Sequence, residues 1–185
     1  MRRLSPLGRV PALILDPPVP PRGPEDGLGG EVLVDSGAIL DHLDKLAGPE
    51  RALLPPSGPP RRQALQIMAL ATGATDKAGG IVYERGLRAP ERVDESWLRR
   101  LRVQLEGALA ALERRRPDPW FLGERFGQAD VTVATMIGYL RLALPELVTA
   151  DRLPALARHA DACERLPAFE ATRPGPDERP PGVPP

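Results

Sequence analysis

A single cysteine, Cys163, rules out an intramolecular disulfide, and with only two histidines nothing in the chain has the spacing of a zinc site. His42 and His159 stand isolated in the sequence, without an evident ligand partner. Excess charge is also lacking. The 25 Lys and Arg residues balance 25 Asp and Glu, which argues against nucleic acid or an anionic membrane as a general electrostatic partner. Long apolar runs are absent too: residues 131–144 are too few to cross a bilayer and carry Arg141 near their end. The Met1-Arg2-Arg3 start followed by a short apolar run mimics a signal peptide. However, Pro11 breaks the run and no small-residue cleavage site follows. The expectation is a soluble protein of the reducing cytoplasm, with no metal, no nucleic acid and no membrane.

The chain is rich in proline, with 24 residues concentrated at 16–24, 49–60 and 173–185, so regular structure must lie between these clusters. Residues 10–15 and 31–34 are aliphatic and β-branched and read as two strands, joined by an enlarged hairpin loop at 16–30. Asp35 and Ser36 can then cap a helix whose Ile39, Leu40, Leu43 and Leu46 share a face, and Gly48-Pro49 ends it. From Arg61 onward the pattern is helical. Ala64, Leu65, Ile67, Met68, Ala71, Ala74, Ala78 and Val82 form the stripe of a long helix that Gly73, Gly79 and Gly80 weaken. Further helices are expected at about 94–115, from Phe126 to about 144, and at about 153–165. The predicted fold class is mainly α, a ββα unit followed by an all-α bundle. Residues 1–48 make the first domain, 49–60 a linker, 61–172 the helical domain and 173–185 a disordered tail.

The local motifs narrow this further. "PLGRVPAL" followed by "VDSGAILDHL" resembles the glutathione-binding half of the cytosolic glutathione S-transferases. "FGQADVTVATMIGYL", "WLRRLRVQLEGALAALE" and "LPAFEATRP" are similar to the C-terminal domain of a bacterial subgroup of that family. The resemblance extends from Leu4 to Pro174 and implies a partial thioredoxin-like unit ahead of the helical bundle. It implies a cis Val10-Pro11 bond that presents the Val10 backbone to the cysteinyl part of glutathione. It also implies that Ser36 holds the γ-glutamyl carboxylate while Asp35 helps with its ammonium group. The bare sequence reads these residues more simply, as a proline at a strand start and a helix cap, and capping is compatible with binding. Arg9 either reaches the glycyl carboxylate or is a solvated arginine. Asp76 is either a contact to a partner subunit's glutathione or an ordinary polar residue. Gly127 stands where the family has Ser or Thr, which removes half of a reciprocal capping pair with Asp130. Cys163 reads as a small buried hydrophobe.

The resemblance implies glutathione as co-substrate, a small electrophile as second substrate, no metal, and a homodimer. It also raises an expectation of inactivity. The family's thiol-activating Ser, Tyr or Cys lies on a strand-helix-strand segment with no counterpart in this sequence, and Ser5 precedes the matching motif without corresponding to it. The expectation is that this segment belongs upstream of Met1 and that the chain as written activates no thiol. No catalytic residue is therefore assigned. Three functions stay open: a glutathione-dependent transferase in its complete form, a non-catalytic binding or interaction module of the same fold, and a helical dimerisation domain.

Overall fold

The computed structural model describes residues 4–15 and 31–175, so the expected loop at 16–30 and most of the expected tail lie outside the described residues. The chain divides into two compact units, Met1–Leu53 and Leu54–Pro185.

In the first unit, strand β1 (Ala12–Ile14) pairs antiparallel with β2 (Val32–Val34), with Ala12 opposite Val34 and Ile14 opposite Val32. Helix α1 (Ser36–Ala47) follows directly. Asp35 caps it by accepting the Gly37 N–H at 2.9 Å, and Gly48 ends it at φ 81°, a conformation that glycine adopts without steric cost. The Asp44 carboxylate then accepts the Leu53 N–H at 2.9 Å and fastens the returning chain to the helix.

The second unit is all helix. Its members are α2 (Gly58–Leu87), α3 (Glu95–Glu113), α4 (Gln128–Ala143), α5 (Pro154–Glu164) and the short α6 (Pro167–Ala171). Helix α2 starts three residues earlier than expected because Pro59 and Pro60 sit in its first turn, where no amide donor is needed. Its glycines do not interrupt it. At Gly80 a Cβ would lie 3.0 Å from Leu101 Cδ1, so the missing side chain lets α3 pack close against α2.

The buried seam of α2 is Ala64, Ile67, Ala71, Ala74, Ala78, Ile81 and Val82, at three- and four-residue steps. Leu65, expected in that stripe, is 43% exposed, and Ile81 takes the inward place. Leu98, Leu101, Leu105, Leu109 and Leu112 of α3 face this seam, and α4, buried on a wider arc, lies between α2 and α5. Burying a leucine completely, as at Leu105, contributes about 1.5–3 kcal/mol.

Polar groups close the ends of these helices. Leu153 cannot cap α5, and the Glu113 carboxylate does so from the end of α3, accepting the Ala155 and Leu156 N–H groups at 2.8 and 2.9 Å. Between α2 and α3, the buried Glu84 pairs with Arg88 at 2.6 Å and accepts the Asp94 N–H at 3.1 Å. The Arg88 guanidinium first, and then that N–H, hold the Glu84 carboxyl below its ordinary value. Asp94, capping α3, is likewise held low, chiefly by the Ser96 hydroxyl.

Candidate functional site

The antiparallel register decides where the sequence-predicted site residues go. Val10 and Pro11 immediately precede β1, and Asp35 and Ser36 immediately follow β2. Pairing Ala12 with Val34 therefore brings all four to the same end of the ladder. The Val10-Pro11 bond is cis. Arg9, Val10 and Pro11 are exposed, with Val10 at 71%, so the backbone at this point is open to an incoming chain. Asp76 is an exposed residue in the middle of α2, in the other unit.

Asp35 adopts φ 73° and ψ 140°, a conformation that side-chain-bearing residues rarely hold, at a cost of order 1–3 kcal/mol. This geometry turns the chain directly from β2 into α1, so the helix begins at the Val10 end of the ladder. Of the first-turn amides, Asp35 occupies only that of Gly37. Ser36 and Ala38 keep their N–H groups without a partner among the described residues, at the positive end of the helix dipole. The half-buried Ser36 adds a hydroxyl at the same place. Such an end accepts a carboxylate through N–H donors, while the exposed Asp35 carboxylate suits a cationic group beside it. An extended peptide carrying a free α-amino acid head and a backbone to pair with Val10 fits this arrangement. The conformation of Asp35 could not have been read from the sequence, because aspartate is common at caps in ordinary extended geometry.

Cys163 is fully buried, and burial pushes its thiol up to about 12, with the charges of Asp130 and Glu164 acting in the same direction. It is an inert thiol.

The motif around Asp130 has a structural role larger than the sequence indicated. The carboxylate accepts the Gly127 N–H at 2.8 Å and the Phe121 N–H at 2.9 Å, and His159 Nε2 lies 2.9 Å away. Glycine has no hydroxyl to return the cap, so the Asp130 N–H donates instead to the Gly127 carbonyl oxygen at 3.0 Å. Trp120, Phe121 and Phe126 meet His159 or one another edge-on, at 4.9–6.0 Å between ring centres. His159, isolated in the sequence, thus has a partner 29 residues away. The cluster joins α4, α5 and the loop before α4, with Asp130 and His159 buried at its centre.

Comparison with known proteins agrees with this architecture. Residues 95–162 match the family described as glutathione S-transferase, C-terminal domain. A glutathione S-transferase from Methylobacterium radiotolerans, solved in complex with glutathione sulfonate, is 32% identical. The match covers 93% of this chain and 75% of that one, with a TM-score of 0.79. A glutathione transferase family member from Pseudomonas fluorescens Pf-5 with bound glutathione is 33% identical over 94% and 78% of the two chains, at a TM-score of 0.78. A glutathione S-transferase from Methylobacillus flagellatus KT with glutathione bound is 31% identical over 94% and 80%, at 0.80. Comparison with curated proteins gave no match.

Proposed function

Because the chain belongs to the glutathione transferase family, we propose that its ββα unit binds glutathione. In this reading the cysteinyl backbone pairs with Val10 beside Pro11. The γ-glutamyl carboxylate lies on Ser36 and the first-turn amides of α1, Asp35 faces the ammonium group, and Arg9 faces the glycyl carboxylate. The observation that carries the reading is the meeting of the Val10-Pro11 bond with the strained Asp35 turn at one end of the sheet. The glutathione seen in the solved relatives supports the choice of ligand.

The reaction proposed for the complete protein is conjugation of the glutathione sulfur to a small electrophile, by a cytoplasmic homodimer and without a metal. Binding and turnover separate here. Cys163 is buried with its thiol held protonated, so it is unsuited to activating the glutathione sulfur. A non-catalytic role, in which the ββα unit holds glutathione without turning it over, is the second reading.

Calorimetric titration of the 185-residue chain with glutathione tests the proposal, with Ser36→Ala as the paired variant and circular dichroism as the check on folding. Saturable binding weakened roughly tenfold or more by Ser36→Ala is the expected result, since a hydrogen bond to a charged group is lost. A folded protein that takes up no glutathione, or whose affinity ignores Ser36, would refute it.

A further inference from the structure

Helix α3 presents two faces to different surroundings. Leu98, Leu101, Leu105, Leu109 and Leu112 are buried on one, where the helix packs on α2 and α5. On the opposite face Arg100, Val103, Gly107, Ala110 and Arg114 recur at the same three- and four-residue steps, and all are exposed, Val103 at 64%. Arg99 stands beside Arg100 at the N-terminal end of this stripe. Neither the motifs nor the glutathione reading uses these residues.

The charge that α3 puts on this face is of one sign. Its three carboxylates, Glu95, Glu106 and Glu113, all lie on one flank, roughly a quarter turn round the helix from the stripe. Two of them are engaged there: Arg102 and Arg152 approach Glu106 at 3.4 and 3.1 Å, and Glu113 takes the Ala155 and Leu156 N–H groups. Glu95 sits in the first turn, where the helix dipole favours a negative charge. The guanidinium groups of Arg99, Arg100 and Arg114 have no hydrogen-bond or ion-pair partner among the described residues. Val103, Gly107 and Ala110 thus form an uncharged middle with cations at both ends, Arg100 and Arg114 being roughly 20 Å apart at the rise of an α-helix.

We propose that this face docks an acidic amphipathic helix of another protein, with carboxylates at both ends meeting Arg99, Arg100 and Arg114 and an apolar middle packed over Val103, Gly107 and Ala110. Charge complementarity selects the partner, since an arginine fork matches a carboxylate with two parallel N–H···O bonds. Gly107 leaves open space where a side chain would stand, so the two helices can approach to the close end of the usual spacing of about 8–10 Å. A second copy of this chain does not fit, because α3 laid along itself in either direction sets arginine against arginine at both ends. Nucleic acid fits no better: the chain carries no net charge, and the middle of the stripe offers phosphates nothing.

The probe is a synthetic peptide of about four helical turns, acetylated and amidated, with Glu in its first and last turns and Ala and Leu between. Fluorescence anisotropy follows its binding to the full chain, beside a counterpart that carries Lys for every Glu. Saturable binding of the Glu peptide is the expected result, with the Lys peptide left unbound. In the Arg99→Glu/Arg100→Glu/Arg114→Glu variant the preference reverses, and the Glu peptide weakens roughly tenfold or more. Gly107→Leu alters no charge, yet it fills the space the partner helix needs and weakens the Glu peptide as well, which separates docking from loose attraction between charges. All four positions are exposed, so the circular dichroism of these variants matches that of the unchanged chain. The proposal is overturned by a Glu peptide that does not saturate, by binding that ignores the charge reversal or Gly107→Leu, or by a DNA duplex bound as tightly as the peptide. Sedimentation adds one more check: self-association lost in the charge-reversed variant would assign the face to a second copy and overturn the proposal too.

Discussion

The helical unit and the ββα unit solve the problem of stability in opposite ways. From Ala64 to Cys163 the long helices turn continuous apolar seams inward, and every buried apolar residue described lies at Leu54 or later. The ββα unit has three-residue strands, and α1 buries no residue completely; Leu43 and Leu46 remain 45% and 69% exposed. An isolated two-stranded hairpin is marginal in water, and within its unit this one has a single helix, α1, to pack against. Yet this weakly supported unit carries the proposed glutathione site and the strained residue, while the strongly packed unit carries none of that chemistry. On the proposed function, stability and glutathione recognition are segregated along the chain.

The largest test of this contrast is Asp130→Ala. It strands the Gly127 and Phe121 amides and the His159 ring in a buried site, and is expected to cost about 3–5 kcal/mol in urea unfolding. A loss below about 1 kcal/mol would mean that the cluster does not hold the helical unit together.

A sharper comparison pairs Leu105→Ala with Leu43→Ala. The first empties a fully buried position and should cost about 2–5 kcal/mol, the second under about 1 kcal/mol. Equal costs would show that α1 has more support than its exposure indicates.

The smallest effect carries the most information about the ββα unit. Asp35→Gly relieves the φ 73° conformation at the price of a few tenths in capping, so stability should rise by about 1 kcal/mol. On the proposed function glutathione affinity falls at the same time, which calorimetry beside a urea titration reads directly. A variant that gains stability and keeps its affinity would separate the strain from the site.

Much of the architecture was legible in the residues. Both strands, α1 and its Asp35 cap, and the four longer helices follow from periodicity and punctuation, because seams such as Leu98, Leu101, Leu105, Leu109 and Leu112 are strongly one-sided. The errors came where tertiary contact overrides local preference. Gly80 reads as a weak point and is a packing notch for Leu101, and Leu65 turns outward while Ile81, outside the expected stripe, is buried, on a helix whose alanines define no sharp face. The five-residue α6 is too short to announce itself by period. At the glutathione site the residue identities were legible through motif spacing, whereas the strained backbone of Asp35 was not. The cationic face of α3 was invisible, because only the packed bundle commits Glu106 to Arg152 and Glu113 to α5.

The Glu113 cap has a consequence for the order in which the bundle assembles. The carboxylate that completes α5 belongs to a residue 42 positions earlier than the Ala155 amide it receives. Helix α5 therefore has no finished beginning of its own, and the end of α3 supplies it only after the intervening chain has closed a long loop. Assembly of α5 is thus conditional on that closure. An isolated peptide spanning residues 150–166 should show little helix, however well its side chains are patterned.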